Sequence, residues 1–210
     1  MQPLRIALLT SRGAPGVARL LEDPNRGTIW DLSIVAESQT PLADLLEDAA
    51  PDYILVCGYE SIIPDAIVAR FEGKILAVHD DASDEILFGE NATRCSVSML
   101  MPGPARNPLF LLGAPYPVAP MALDARERGD ADFLAAYAAL HRQWMISTAW
   151  GELLARTLEL LAGGTMHIIG DTVWIDGAPG PCRMGHAPDV CHDPETMVAR
   201  GIPRSCPFIG

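Results

Sequence analysis

Lysine is almost missing from this chain: Lys74 is the only one in 210 residues, and 15 basic side chains face 27 acidic ones. A net charge of -12 argues strongly against nucleic acid, because binding to a phosphate backbone depends on clustered Lys and Arg. The same sign disfavours adhesion to anionic lipid. Long hydrophobic runs are also missing. None reaches the roughly 18 apolar residues needed to cross a bilayer, and the opening MQPLRIALLTSRG turns polar too soon for a secretory signal. The expectation is a cytoplasmic protein with a small-molecule partner, no nucleic acid and no membrane. Cysteine is sparse: Cys57 and Cys95 sit in apolar runs, while Cys182, Cys191 and Cys206 fall near the end without the spacing of a disulfide framework.

What the chain does have is apolar material, 49% of its residues, enough for a core and against global disorder. Short runs rich in branched residues recur in the first half, at Leu4–Thr10, Ile29–Ala36, Tyr53–Cys57 and Lys74–His79. These read as buried strands. Between them, Gly16–Leu21, Pro41–Ala49 and Pro64–Phe71 carry helical spacing, with Pro41 and Pro64 placed to open helices. The alternation predicts an α/β fold: a Rossmann-like, mostly parallel twisted sheet with helices on both faces and a ligand crevice beyond the carboxyl ends of its strands.

Further on, Ser96–Met101 and Leu109–Leu112 read as two more strands, joined by a Pro- and Gly-rich loop. Asp130 to Ala162 is one long helical stretch, stopped by Gly163-Gly164. Met166–Ile169 and Thr172–Ile175 read as a hairpin around Gly170-Asp171. The boundary expected is one domain over 1–177, followed by a Cys-, His- and Pro-rich tail over 178–210. The apolar long helix could serve the sheet or a second copy of the chain, so a homodimer is compatible with the pattern.

Three places carry candidate chemistry. After the first strand, Ser11, Arg12, Gly13 and Ala14 occupy a loop where backbone N–H groups and a helix start could hold an anion, although a plain turn fits the position equally. His79 ends the fourth strand, beside Asp80 and Asp81 with Asp84 and Glu85 close behind. A strand-end imidazole suits proton transfer near neutrality, and the neighbouring carboxylates open a metal-assisted hydrolase as an alternative. Cys182, His186, Cys191, His192 and Cys206 are zinc-type ligands, but their spacings match no standard knuckle.

Taken in order, several segments resemble the formyltransferase family that includes glycinamide ribonucleotide transformylase. Arg5–Gly16 resembles that family's first strand and phosphate-binding loop. Tyr53–Pro64 resembles the strand, glycine and helix start lining its folate pocket, and Gly73–His79 the strand that ends in Asn-x-His. Ser96-Val97, Pro108–Leu111 and His141–Gly177 resemble the later strands, the C-terminal helix and the closing hairpin. The resemblance implies transfer of a formyl group from 10-formyltetrahydrofolate to an amine, as in purine biosynthesis and one-carbon metabolism. It implies folate contacts at Gly58, Tyr59, Ile62, Ile63 and Val78, substrate contacts at Ser11, Arg12, Gly13 and Ala14, and catalysis by His79 with Asp80 or Asp81 standing in for a carboxylate. Two family groups are replaced: Ala77 stands where an Asn is expected and Ala105 where an Asp is expected. Alanine cannot donate to an oxyanion. A second reading is therefore a pseudoenzyme that kept the fold and a folate or nucleotide pocket for binding or regulation.

Overall fold

The computed structural model describes residues 2–10, 16–36, 41–59, 61–80, 86, 89–103, 107–164, 166–169, 172–175 and 177–184. The first four strands are β1 (Leu4–Thr10), β2 (Trp30–Ala36), β3 (Tyr53–Val56) and β4 (Ile75–His79), and between them run α1 (Val17–Leu21), α2 (Leu42–Ala49) and α3 (Asp65–Arg70). All neighbouring pairs among these strands are parallel, in the order β2-β1-β3-β4. The expected βα alternation is present.

The sheet then changes direction. β6 (Ser96–Met99) lies antiparallel to β4, and β7 (Leu109–Leu112) antiparallel to β6. Two short strands, β5 (Ala92–Thr93) and β8 (Tyr116–Pro117), form a separate ribbon beside it. α4 (Pro120–Arg128) leads through a left-handed Gly129 into α5 (Ala131–Ala162), whose first turn is capped by Asp130 accepting from the Phe133 N–H at 3.1 Å. Such a cap satisfies a backbone donor that the helix itself leaves unpaired. β9 (Met166–Ile169) and β10 (Thr172–Ile175) make the expected hairpin, and β11 (Ala178–Pro179) adds a third strand to it. Finally β12 (Cys182–Arg183) pairs parallel with β7, completing the order β12-β7-β6-β4-β3-β1-β2.

Side-chain alternation along the strands divides the core between the two faces of the sheet. Ile6, Leu8, Leu55, Leu76, Val97 and Leu111 meet α5 through Trp144, Met145, Leu153 and Leu154. On the other face, Ala7, Leu9, Ile54 and Ile75 meet α2 and α3 through Leu46, Ile67 and Val68. The 32 residues of α5 span about 48 Å, long enough for its first turns to pack α4 through Leu134 and Tyr137 while the rest crosses the sheet.

The burial of two titratable groups has a pH consequence. Burial, then the nearby Asp80 and Cys95, pushes the Cys57 thiol from 9.0 up to about 12. Burial likewise raises the Tyr137 hydroxyl from 10.0 to about 12, against a lowering hydrogen bond from the Ala119 N–H. Both groups keep their protons in the fold at a pH where the unfolded chain releases them. The stability these two groups contribute is therefore complete below about pH 9 and is lost as pH rises from there toward 12. Urea midpoints measured across that window should fall, and the fall should be shallower in Cys57→Ala.

Candidate functional site

The parity of β4 determines what its carboxyl end presents. Ala77 and His79 point to one face of the sheet and Val78 and Asp80 to the other. In the antiparallel register with β6, Ala77 stands opposite Ser98 and His79 opposite Ser96. Directly opposed residues share a face, so one imidazole and two hydroxyls gather beside the Ala77 methyl. His79 Nε2 lies 2.6 Å from Ser98 Oγ, a short hydrogen bond.

These three side chains line a cavity of about 610 Å³. Asn107, Pro108 and Leu109, entering β7, form a second wall, and Thr172 and Val173 of β10 form a third. The turn at Gly180-Pro181 completes the lining. Gly180 donates to the Val173 carbonyl at 2.6 Å, and a Cβ on it would sit 2.8 Å from that same oxygen. The chain beyond the hairpin can approach this closely because residue 180 has no side chain. Asn107 is also fixed: the Met101 N–H donates to its Oδ1 at 3.0 Å.

The sequence-predicted residues separate into groups. His79 reaches the cavity. Asp80 turns the opposite way, as β4 parity requires, and its carboxylate accepts from Arg142 on α5 at 2.8 Å, with 17% of its side chain exposed. The structure therefore does not bring Asp80 to the cavity wall beside His79. Asp81, with Asp84 and Glu85, lies outside the described residues, as do Ser11, Arg12, Gly13, Ala14, Ala105 and Arg106.

Gly58 follows β3 with a left-handed φ of 61°, at the same carboxyl edge of the sheet as His79. Tyr59 and Ile63 pack on the α2–α3 side, while Ile62 is 92% exposed. Val78 packs into the core facing α5. Ser98, Asn107 and the Gly180 turn had not been singled out from the sequence. The alternation Ser96-Val97-Ser98 was the available signal, because it sends two hydroxyls to one face of a strand.

Among the described residues, no group of three or more His, Cys, Asp or Glu side chains could hold a metal ion. His186, Cys191, His192 and Cys206 of the tail lie outside them. No helix among the described residues is long and apolar enough to cross a membrane.

No family model matches the chain, and neither does any curated protein. Solved structures do. Phosphoribosylglycinamide formyltransferase from Coxiella burnetii superposes with a TM-score of 0.64 at 14% identity, covering 88% of this chain and 100% of that one. The Anaplasma phagocytophilum enzyme of the same name gives 0.61 at 15% identity, over 86% and 97%. A formyltetrahydrofolate deformylase from Pseudomonas syringae gives 0.62 at 13% identity, over 83% and 66%. At these identities the likeness establishes the fold: a mixed, mostly parallel sheet with a long C-terminal helix and closing hairpin, shared by formyltransferases and deformylases.

Proposed function

We propose that the chain catalyses formyl transfer from 10-formyltetrahydrofolate to an amine, with His79 moving the proton. The observation that carries this reading is the position of His79, at the carboxyl end of a central strand and on the floor of an open cavity, in a fold that formyl-transferring and formyl-hydrolysing enzymes share. Amine attack on a formyl carbon builds an oxyanion and leaves a proton on the attacking nitrogen. His79 Nε2 can take that proton once Ser98 yields its hydrogen bond.

A volume of about 610 Å³ lies within the range of small-molecule sites. The folate-side contacts are assigned to Gly58, Tyr59, Ile62, Ile63 and Val78, of which Ile62 is 92% exposed. Ser11, Arg12, Gly13 and Ala14 are assigned to the acceptor. Asp80 acts through its field rather than by contact, and Asp81 is the carboxylate that would complete the proton path. The reading places the protein in cytoplasmic one-carbon metabolism.

One observation favours a second reading. Ala77, directly opposite Ser98, cannot donate to an oxyanion, and loss of one such donor costs about 10²–10³ in rate. A folate-binding protein without turnover would follow. Two measurements decide between the readings. Calorimetry with a stable 10-formyl folate analogue should show saturable binding, and incubation with 10-formyltetrahydrofolate and a panel of amine acceptors (glycinamide ribonucleotide, amino sugars) should release the deformylated folate together with a formylated amine. Binding without release selects the second reading, and absence of binding removes both.

A further inference from the structure

Ser98 is a buried hydroxyl with an unusual position. It is 3% exposed, yet it lines the cavity, and its Oγ is 2.6 Å from the imidazole nitrogen of His79. A buried hydroxyl needs a partner, and a backbone carbonyl within the strand would have served that need. Here the partner is a base at the cavity floor. A hydroxyl hydrogen-bonded to an imidazole on the wall of a cavity is the arrangement that activates a nucleophile. Its register gives it a further meaning: Ser98 stands opposite Ala77, the position whose side chain can perform no chemistry.

A donor for the resulting oxyanion is also at hand. The Oδ1 of Asn107 is held by the Met101 N–H, which leaves its Nδ2 hydrogens as the amide's remaining donors, and Asn107 lines the same cavity. From this juxtaposition we infer that Ser98 is a catalytic nucleophile that carries the acyl group as an ester between donor and acceptor. The inference deepens the formyl-transfer reading and rests on it for the identity of the donor.

The step balances without any further reactant. Ser98 Oγ attacks the formyl carbon of the N-formyl donor while its proton passes to His79 Nε2, forming the C–O bond and an oxyanion. Collapse breaks the C–N bond, and the departing nitrogen takes the proton from His79. An amine or water then attacks the serine ester and gives its proton to His79. The second collapse breaks the C–Oγ bond and returns the proton to Ser98. Formyl transfer and formyl hydrolysis differ only in the second nucleophile.

The test uses the full chain and p-nitrophenyl acetate, an activated ester that needs no folate, with acid quenching and peptide mapping by mass spectrometry. One acetyl group on Ser98 is expected. Acetylation there should be about 10²-fold slower or more in His79→Ala, absent in Ser98→Ala, and restored at position 98 in Ser98→Cys, each variant being checked for native circular dichroism. Acetylation of Ser98 supports the inference even if 10-formyltetrahydrofolate is not turned over, which would remove the folate reading alone. Native protein that leaves Ser98 unmodified, or that acetylates it equally fast without His79, overturns the inference. Continued release of deformylated folate by that protein would leave the formyl-transfer reading standing.

Discussion

Replacing His79 by alanine is expected to lower formyl transfer from 10-formyltetrahydrofolate to its amine acceptor by about 10²–10⁴-fold, the usual worth of a positioned general acid or base. The loss should fall on kcat. The affinity for a stable folate analogue should change little, because the apolar contacts assigned to the cofactor are on Tyr59, Ile62, Ile63 and Val78 rather than on the imidazole. Stability should fall by about 1–3 kcal/mol, because removing the imidazole leaves the buried Ser98 hydroxyl without the partner it has here. Single-turnover kinetics beside calorimetry would measure both quantities. A His79→Ala protein that transfers formyl at the wild-type rate would show that the cavity is not where the chemistry occurs.

A second large effect is expected at the start of α1. Gly16 opens α1 with a left-handed φ of 82°, and a Cβ there would lie 2.8 Å from the backbone nitrogen of Gly151 in α5. The two glycines are where the first helix crosses the long one. Gly16→Ala adds a left-handed conformation, costing about 1–2 kcal/mol, to overpacking against backbone, costing about 1–3 kcal/mol. A combined loss of about 2–5 kcal/mol is a large part of the 5–15 kcal/mol typical of a domain. Gly27→Ala is the control: its φ is 78°, but nothing lies within 4 Å of the added carbon. Urea midpoints of the two variants separate the conformational cost from the crossing, and equal losses would contradict a packing role for Gly16.

The first half of the fold was legible because burial on both faces leaves a plain record: Leu4–Thr10 and Tyr53–Cys57 are apolar nearly throughout, and proline or glycine marks the helix starts. The strand directions after β4 were not legible. Whether β6 runs with β4 or against it depends on how the chain returns, and no residue of Ser96–Met99 encodes that. α4 was missed as well. Pro117 and Pro120 flank its start, and its exposed charged face hides the few buried contacts of Ala122 and Ala125.

At the site, His79 could be found because a strand end in an open α/β sheet is a functional address. Asp80 shows the limit of reading neighbours as partners. Consecutive residues in a strand face apart, so adjacency to His79 was itself the reason to expect Asp80 on the α5 side, where Arg142 pairs with it. Ser98 is hydrogen-bonded to the His79 ring though 19 residues away in sequence. Only the antiparallel register could reveal it.

The two-residue strand β12 does more than lengthen the sheet. Among the described residues it is the outermost strand beside β7, and so short an edge offers few free backbone groups to another molecule's strand. The turn that delivers it, Gly180-Pro181, is also a wall of the cavity. Protection against edge-to-edge aggregation and the shape of the binding space are thus vested in the same few residues.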